Sequence, residues 1–342
     1  MAMKRQTVTC RFSREQCQSG LDGLNAEYTL ELADAEEICL PQEKLKNEAD
    51  ETIASIQCVR GKITAYVNVV HCIRPNNVKP FGIADAIKME LAREHIIGFM
   101  KSYIQRYLSG QAPERVIQNI QVKSLECNIT LPCVGKATPS AVVALFDLAF
   151  NRTVLFRKQR ENVQYEKVNM SCLYTKPKKY RLKIYDKTAE QREKGNLLVE
   201  KKLLRIEVVF LDRSLHRMYG KKRTVIDVLS AHSIEVMCQE YKRVFGEDII
   251  NRNIKPFLNY CVKRLFESLA TSENGNEISE TIARCRELIP DIEVLRKALK
   301  KWYRHRGIGD NSKQAIRHYR SKNLGLPEDV LKTIRVFHKA AG

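Results

Sequence analysis

No two cysteines of this chain stand at C-x-x-C spacing, and its 11 cysteines are an odd number scattered through runs such as "SIQCV", "LECNI" and "VMCQE". A disulfide framework or a zinc site needs paired spacing, so reduced and mostly buried thiols in a cytoplasm are expected. No segment approaches the roughly 18 consecutive apolar residues of a membrane span, and no basic amphipathic helix opens the chain, so no membrane partner is expected. The start "MAMKRQTVTC" has basic residues with no apolar stretch behind them, unlike a secretory signal. Acidic residues are also short: 40 Asp and Glu face 59 Lys and Arg, a formal charge of +19. Such an excess points to a polyanion, and nucleic acid is the commonest one.

What is present suffices for a globular fold, since 44% of the 342 residues are hydrophobic. Residues 53–72 read as two strands joined at a tight "RGK" turn. A helical pattern runs from about Ala84 to Leu108 with Ile87, Leu91, Ile96, Met100 and Ile104 as its apolar positions. "VIQNIQVKSLECNITL" returns to strand character, and Thr138 followed by Pro139 signals the start of a helix. Further strands are expected around Val168 to Tyr174, Tyr180 to Tyr185 and Leu203 to Phe210. From about Thr224 the chain turns helical, opening on a T-x-x-D capping pattern. The fold class expected is α+β: a largely antiparallel sheet with helices packed on one face, followed by a basic all-helical C-terminal part. The division expected is residues 1–215 and 216–342.

Period-two alternation sorts the side chains of these strands into faces. In "RLKIYDK", Leu182 and Ile184 point one way, and Arg181, Lys183, Tyr185 and Lys187 the other. In "SLECNI", Ser124, Glu126 and Asn128 form the polar side; in "LLRIEVVF", Arg205 and Glu207 do. An ordinary half-exposed sheet alternates too, but this mixture of types carries chemistry. Carboxylates hold divalent cations, a tyrosine can attack phosphorus, and lysines bear the charge developing on a phosphate. A free tyrosine, with pKa about 10, needs neighbouring positive charge or a metal to favour its phenolate, and Lys183 and Lys187 are placed to contribute.

"RLKIYDKTAE" followed by "LLRIEVVF", with "VKSLECNITL" and "YVNVVHCIRPNNVKPFG" upstream, resembles the rolling-circle replication initiators, in the branch of the filamentous-phage gene II protein and related plasmid initiators and conjugative relaxases. The likeness covers about residues 60–215. It implies Tyr185 as the nicking nucleophile, Glu126 as a metal ligand, Lys187 as a phosphate contact, and Glu207 with Arg205 as a supporting acidic and basic pair. Glu190 would orient Lys187. The implied cofactor is Mg²⁺ or Mn²⁺. The H-x-H pair by which the wider class holds its metal is absent, and Asn68 stands where the phage-type strand tends to carry an acid, which makes Glu207 and His71 further candidate ligands. Tyr180 lies an odd number of residues from Tyr185, which places the two on opposite faces and disfavours a two-tyrosine relay.

Residues 296–322 hold ten Lys or Arg against the single acid Asp310, interleaved with Trp302 and two tyrosines. Charge with aromatics suits phosphate contact plus stacking, so Lys300, Lys301, Arg304, Arg306, Arg317 and Arg320 join Arg181, Lys183 and Arg205 as candidate DNA contacts. Trp302 by itself is expected to pack inward. The function expected is nicking of one strand at a replication origin, with a 5′-phosphotyrosine intermediate and a free 3′-OH, followed by rejoining. Origin DNA, duplex or single-stranded, is the expected partner, a host helicase a further one, and the cytoplasm the expected location, a host's if the chain is phage-encoded. A conjugative relaxase shares the chemistry; a non-catalytic DNA- or RNA-binding protein is the alternative from another class.

Overall fold

The computed structural model describes residues 7–8 and 19–341, apart from 33, 73, 75–79, 81, 162–163, 169–170, 196, 199–201, 222, 274 and 322–324. Most of the loop "RPNNVKPFG" therefore lies outside the described residues. In chain order the strands are β1 (Thr7–Val8), β2 (Gly20–Thr29), β3 (Leu40–Lys46), β4 (Thr52–Val59), β5 (Lys62–Asn68), β6 (Gln121–Pro132), β7 (Gln164–Val168), β8 (Ser171–Lys176), β9 (Tyr180–Asp186), β10 (Leu197–Leu198) and β11 (Leu203–Phe210). The helices are α1 (Met89–Tyr107), α2 (Pro113–Asn119), α3 (Pro139–Glu161), α4 (Lys187–Glu193), α5 (Asp212–Tyr219), α6 (Val225–Val228), α7 (Ala231–Arg243), α8 (Lys255–Ala270), α9 (Gly275–Arg284), α10 (Ile292–His305), α11 (Ser312–Ser321) and α12 (Val330–Ala340). A π-helical stretch, Val244–Ile254, joins α7 to α8.

Nine strands form one sheet in the order β3-β4-β5-β2-β6-β11-β9-β8-β7, with every neighbouring pair antiparallel. The fold is α+β, with a helical C-terminal region, as the alternation of patterns implied. The hairpin between β4 and β5 turns on Arg60 (φ 51°) and Gly61 (φ 68°). Two consecutive positive φ angles match the right-handed twist of the flanking strands. A Cβ on Gly61 would come within 2.4 Å of the Ala35 carbonyl oxygen, so only glycine fits there.

Helices cover one face of the sheet. That face carries Leu125, Cys127 and Ile129 of β6, Ile206, Val208 and Phe210 of β11, and Tyr180, Leu182 and Ile184 of β9, all essentially inaccessible to solvent. Tyr180 thus packs under the helices, and Tyr174 stacks on Phe150, ring centroids 4.6 Å apart. The core does not stop at residue 215. Tyr241, Phe245, Phe257 and Phe337 belong to the same apolar cluster as the sheet, and the Tyr241 hydroxyl donates to the Ile206 carbonyl at 2.9 Å. A separate, smaller cluster joins the end of α8 to α9, α10 and α11 around Leu265, Leu295 and Trp302, so Trp302 does pack inward.

Some boundaries differ from the sequence reading. The first long helix begins at Met89 after a 3₁₀ segment, leaving Ile87 and Leu91 exposed while Ile96, Met100 and Ile104 are buried. Val116 to Asn119 belong to α2 rather than to the following strand. The expected strand from Val168 to Tyr174 is instead a hairpin of β7 and β8. The capping signals held: Thr138 accepts from the Ala141 amide at 3.2 Å, and Thr224 with Asp227 forms a complete capping box. Among the described residues, nine cysteines are free thiols and Cys39 alone is exposed.

Candidate functional site

The face opposite the helices is polar along five neighbouring strands, β5, β2, β6, β11 and β9. On β9, Arg181 and Lys183 are exposed, while Tyr185 is only 8% exposed and is aligned with Arg205 of β11. Lys183 stands opposite Glu207 in the ladder, and Glu207 opposite Asn128 of β6. The Tyr185 hydroxyl donates to Glu207 Oε2 over 3.4 Å, a long bond, and the Lys183 ammonium lies 4.7 Å from the centre of the Tyr185 ring. Two neighbouring strands, β9 and β11, therefore bring a phenol, an ammonium and a carboxylate together.

The centre of this face belongs to a residue that the sequence reading missed. Strand β2 pairs with β6 through Leu21 with Cys127 and Gly23 with Glu126, which leaves Asp22 as the extra residue of a bulge. A bulge re-aims one side chain, and here it turns Asp22 into the sheet's middle. Its Oδ2 accepts from Asn128 Nδ2 at 3.0 Å and from the Arg205 guanidinium at 3.1 Å, and Arg205 Nε also donates to Thr130 Oγ1 at 2.8 Å. Gly23 keeps this region open, since a Cβ there would sit 2.9 Å from the Val67 carbonyl oxygen and 3.5 Å from Glu126 Oε2. The signal was available in "GLDGLN", an acid between two glycines inside an alternating apolar run.

Crowded acids and burial displace the protonation equilibria. Burial, reinforced by the Glu207 and Asp22 carboxylates, lifts Glu126 to about 7. Burial also raises Glu207, against the pull of Arg205. The phenol of Tyr185 is pushed up by burial, with Arg205 opposing and Glu207 adding to the rise. This corrects the expectation that flanking lysines bias Tyr185 toward phenolate: in the protein alone, loss of water outweighs their charge. Tyr66 of β5, on the same face, is raised by burial and by Glu126 and Asp22.

Lys187 and Arg205 also depart from the roles expected of them. Asp186 caps α4 by accepting from the Ala189 amide at 2.9 Å, so the chain leaves β9 directly into a helix that buries Lys187 completely. Lys187 pairs with Glu190 at 2.6 Å, as the expected orienting role of Glu190 requires. Burial, with Arg205 adding, lowers the Lys187 ammonium to about 7. Glu190 is held down at about 2 by Lys187 and Lys194, although burial alone would raise it. Arg205 is likewise inaccessible. Neither cation reaches a DNA backbone from these positions; Arg205 fixes Asp22, and Lys187 lies under the Tyr185 ring at 5.9 Å.

His71 lies just beyond β5 in a 3₁₀ turn and is 8% exposed. Among the described residues no group of three or more His, Cys, Asp or Glu side chains gathers into a metal-binding cluster, so Glu126, Glu207 and His71 are not brought together as one ligand set. Three buried atoms nearby have no hydrogen-bond partner: Asp22 Oδ1, Asn68 Oδ1 and His71 Nδ1.

In the helical region Lys300, Lys301, Arg304, Arg306, Arg317 and Arg320 are all exposed. Two of them are engaged internally: Arg306 donates to the Ser272 carbonyl at 2.7 Å, and Arg320 pairs with Glu328 at 3.1 Å. Lys300 approaches Asp310 at 3.8 Å. Among the described residues no helix is long and apolar enough to cross a membrane. No protein-family signature matches the chain, and no curated protein matches it.

Proposed function

We propose that this protein nicks and rejoins one strand of origin DNA, with Tyr185 as the nucleophile. The observation that carries this reading is the Tyr185 hydroxyl aimed at Glu207 on a sheet face edged by the exposed Arg181 and Lys183. In the nicking step the Tyr185 oxygen attacks phosphorus while its proton passes to Glu207, whose raised proton affinity suits an acceptor. The bond from phosphorus to the 3′-oxygen breaks, and that oxygen leaves as a free 3′-OH after taking up a proton. The protein is left with a 5′-phosphotyrosine ester, and attack by a 3′-OH in the reverse sense reseals the strand.

Arg181 and Lys183 would hold the flanking phosphates, while Arg205 keeps Asp22 in place behind the reacting groups. A divalent cation such as Mg²⁺ or Mn²⁺, when bound, would polarise the scissile phosphate. Initiators and conjugative relaxases share this chemistry. The near-burial of Tyr185 favours a second reading, a nucleic-acid-binding protein without chemistry, because a nucleophile must be reached by its phosphate.

One experiment separates them. An end-labelled oligonucleotide carrying the origin is incubated with the protein and Mn²⁺, and an SDS-resistant adduct is sought. Wild type should form the adduct, and Tyr185→Phe should lose it while still binding. Binding by wild type with no adduct establishes the second reading; an adduct on Tyr185→Phe removes Tyr185 as the nucleophile.

A further inference from the structure

We infer that Asp22, Asn68 and His71 form a divalent-cation site at the junction of β2 and β5. The three residues adjoin in the fold: Asn68 is the ladder partner of Gly23, the neighbour of Asp22, and His71 follows in the turn that ends β5. Exposures are 5% for Asp22, 7% for Asn68 and 8% for His71. Each keeps one buried polar atom with no hydrogen-bond partner, and these three make up most of the five such side-chain atoms among the described residues. The other two, Asn253 Oδ1 and Trp302 Nε1, lie in the helical part.

A buried polar atom left unsatisfied is costly, so three together imply a missing partner. The Asp22 carboxylate is divided in a telling way: Oδ2 is fixed by Asn128 and Arg205, while Oδ1 is left over. Two donors on one carboxylate oxygen lock the ligand's orientation and keep the lone pairs of the other oxygen available. Carboxylate oxygen, amide oxygen and imidazole nitrogen are all acceptors when the imidazole carries its proton on Nε2. One water has only two hydrogens to give, which leaves one acceptor unserved; a cation takes all three and balances the Asp22 charge. The donor set suits Mn²⁺, which accepts imidazole alongside hard oxygens. The nearby cations are already matched, Arg205 to Asp22 Oδ2 and Lys187 to Glu190.

The purpose of such a site rests on the nicking reading, but its existence does not, so binding is measured without DNA. Full-length Tyr185→Phe protein is titrated with Mn²⁺, free ion being followed by electron paramagnetic resonance and thermal unfolding recorded in parallel. One ion per chain is expected. His71→Ala should weaken binding about tenfold or more. Because Asp22→Asn could also loosen Arg205, the deciding variant is Asn68→Asp, which adds an anionic ligand. It should bind Mn²⁺ about tenfold more tightly and gain thermal stability with Mn²⁺ beyond that of its parent. The inference is overturned if no ion binds, if binding ignores all three substitutions, or if Asn68→Asp is merely less stable with unchanged affinity, as a water-filled site predicts. Mn²⁺ binding here in a protein that forms no DNA adduct would leave the site standing and remove the nicking reading; an adduct without Mn²⁺ binding here would do the reverse.

Discussion

Replacing Glu126 by Gln should change how stability depends on pH, in a direction fixed by the crowding of the polar sheet face. Burial and the Glu207 and Asp22 carboxylates raise Glu126 from an ordinary 4.5 to about 7. Between those values the folded state binds more protons than the unfolded one, so wild type loses stability as pH rises from 4.5 through 7. About 2.5 pH units at about 1.4 kcal/mol each gives a ceiling near 3.5 kcal/mol, and partial exposure of the side chain reduces this to about 2 kcal/mol. Gln keeps the shape and removes the charge. Urea unfolding at pH 5, 6, 7 and 8 should therefore show the variant close to wild type at pH 5 and about 2 kcal/mol more stable at pH 8. A difference that stays constant across this range would refute the electrostatic account of the face.

Arg205→Met should cost about 3–5 kcal/mol in urea unfolding, because it leaves the Asp22 carboxylate buried without its cation; a loss below 1 kcal/mol would mean that water already serves Asp22. Thr224→Ala removes the capping box ahead of α6 and should lower stability by about 1 kcal/mol, with Thr224→Ser restoring it. Lys301→Ala and Arg317→Ala change exposed cations, and each should weaken DNA binding equally for all sequences while reducing the slope of log affinity against log salt by about one. An unchanged slope in a filter-binding or anisotropy titration would place those residues outside the interface.

Local chemistry by itself determined several of the elements that the structure contains. Alternation assigned Arg181, Lys183 and Tyr185 to one face of β9 and Leu182 and Ile184 to the other, because side chains of a strand alternate whatever its neighbours are. Thr138 with Pro139, Thr224 with Asp227, and Arg60 with Gly61 marked a helix start, a capping box and a hairpin turn, since each is satisfied within a few residues. Which strands adjoin was beyond such reasoning, for β2 and β6 are separated by about ninety residues and meet only when the sheet closes. Tertiary structure alone decided that a bulge turns Asp22 onto Arg205, that α4 seals Lys187 away from solvent, and that Tyr185 is buried enough to hold its proton. Burial and charge proximity are sums over neighbours drawn from the whole chain, and no local stretch of sequence contains those neighbours.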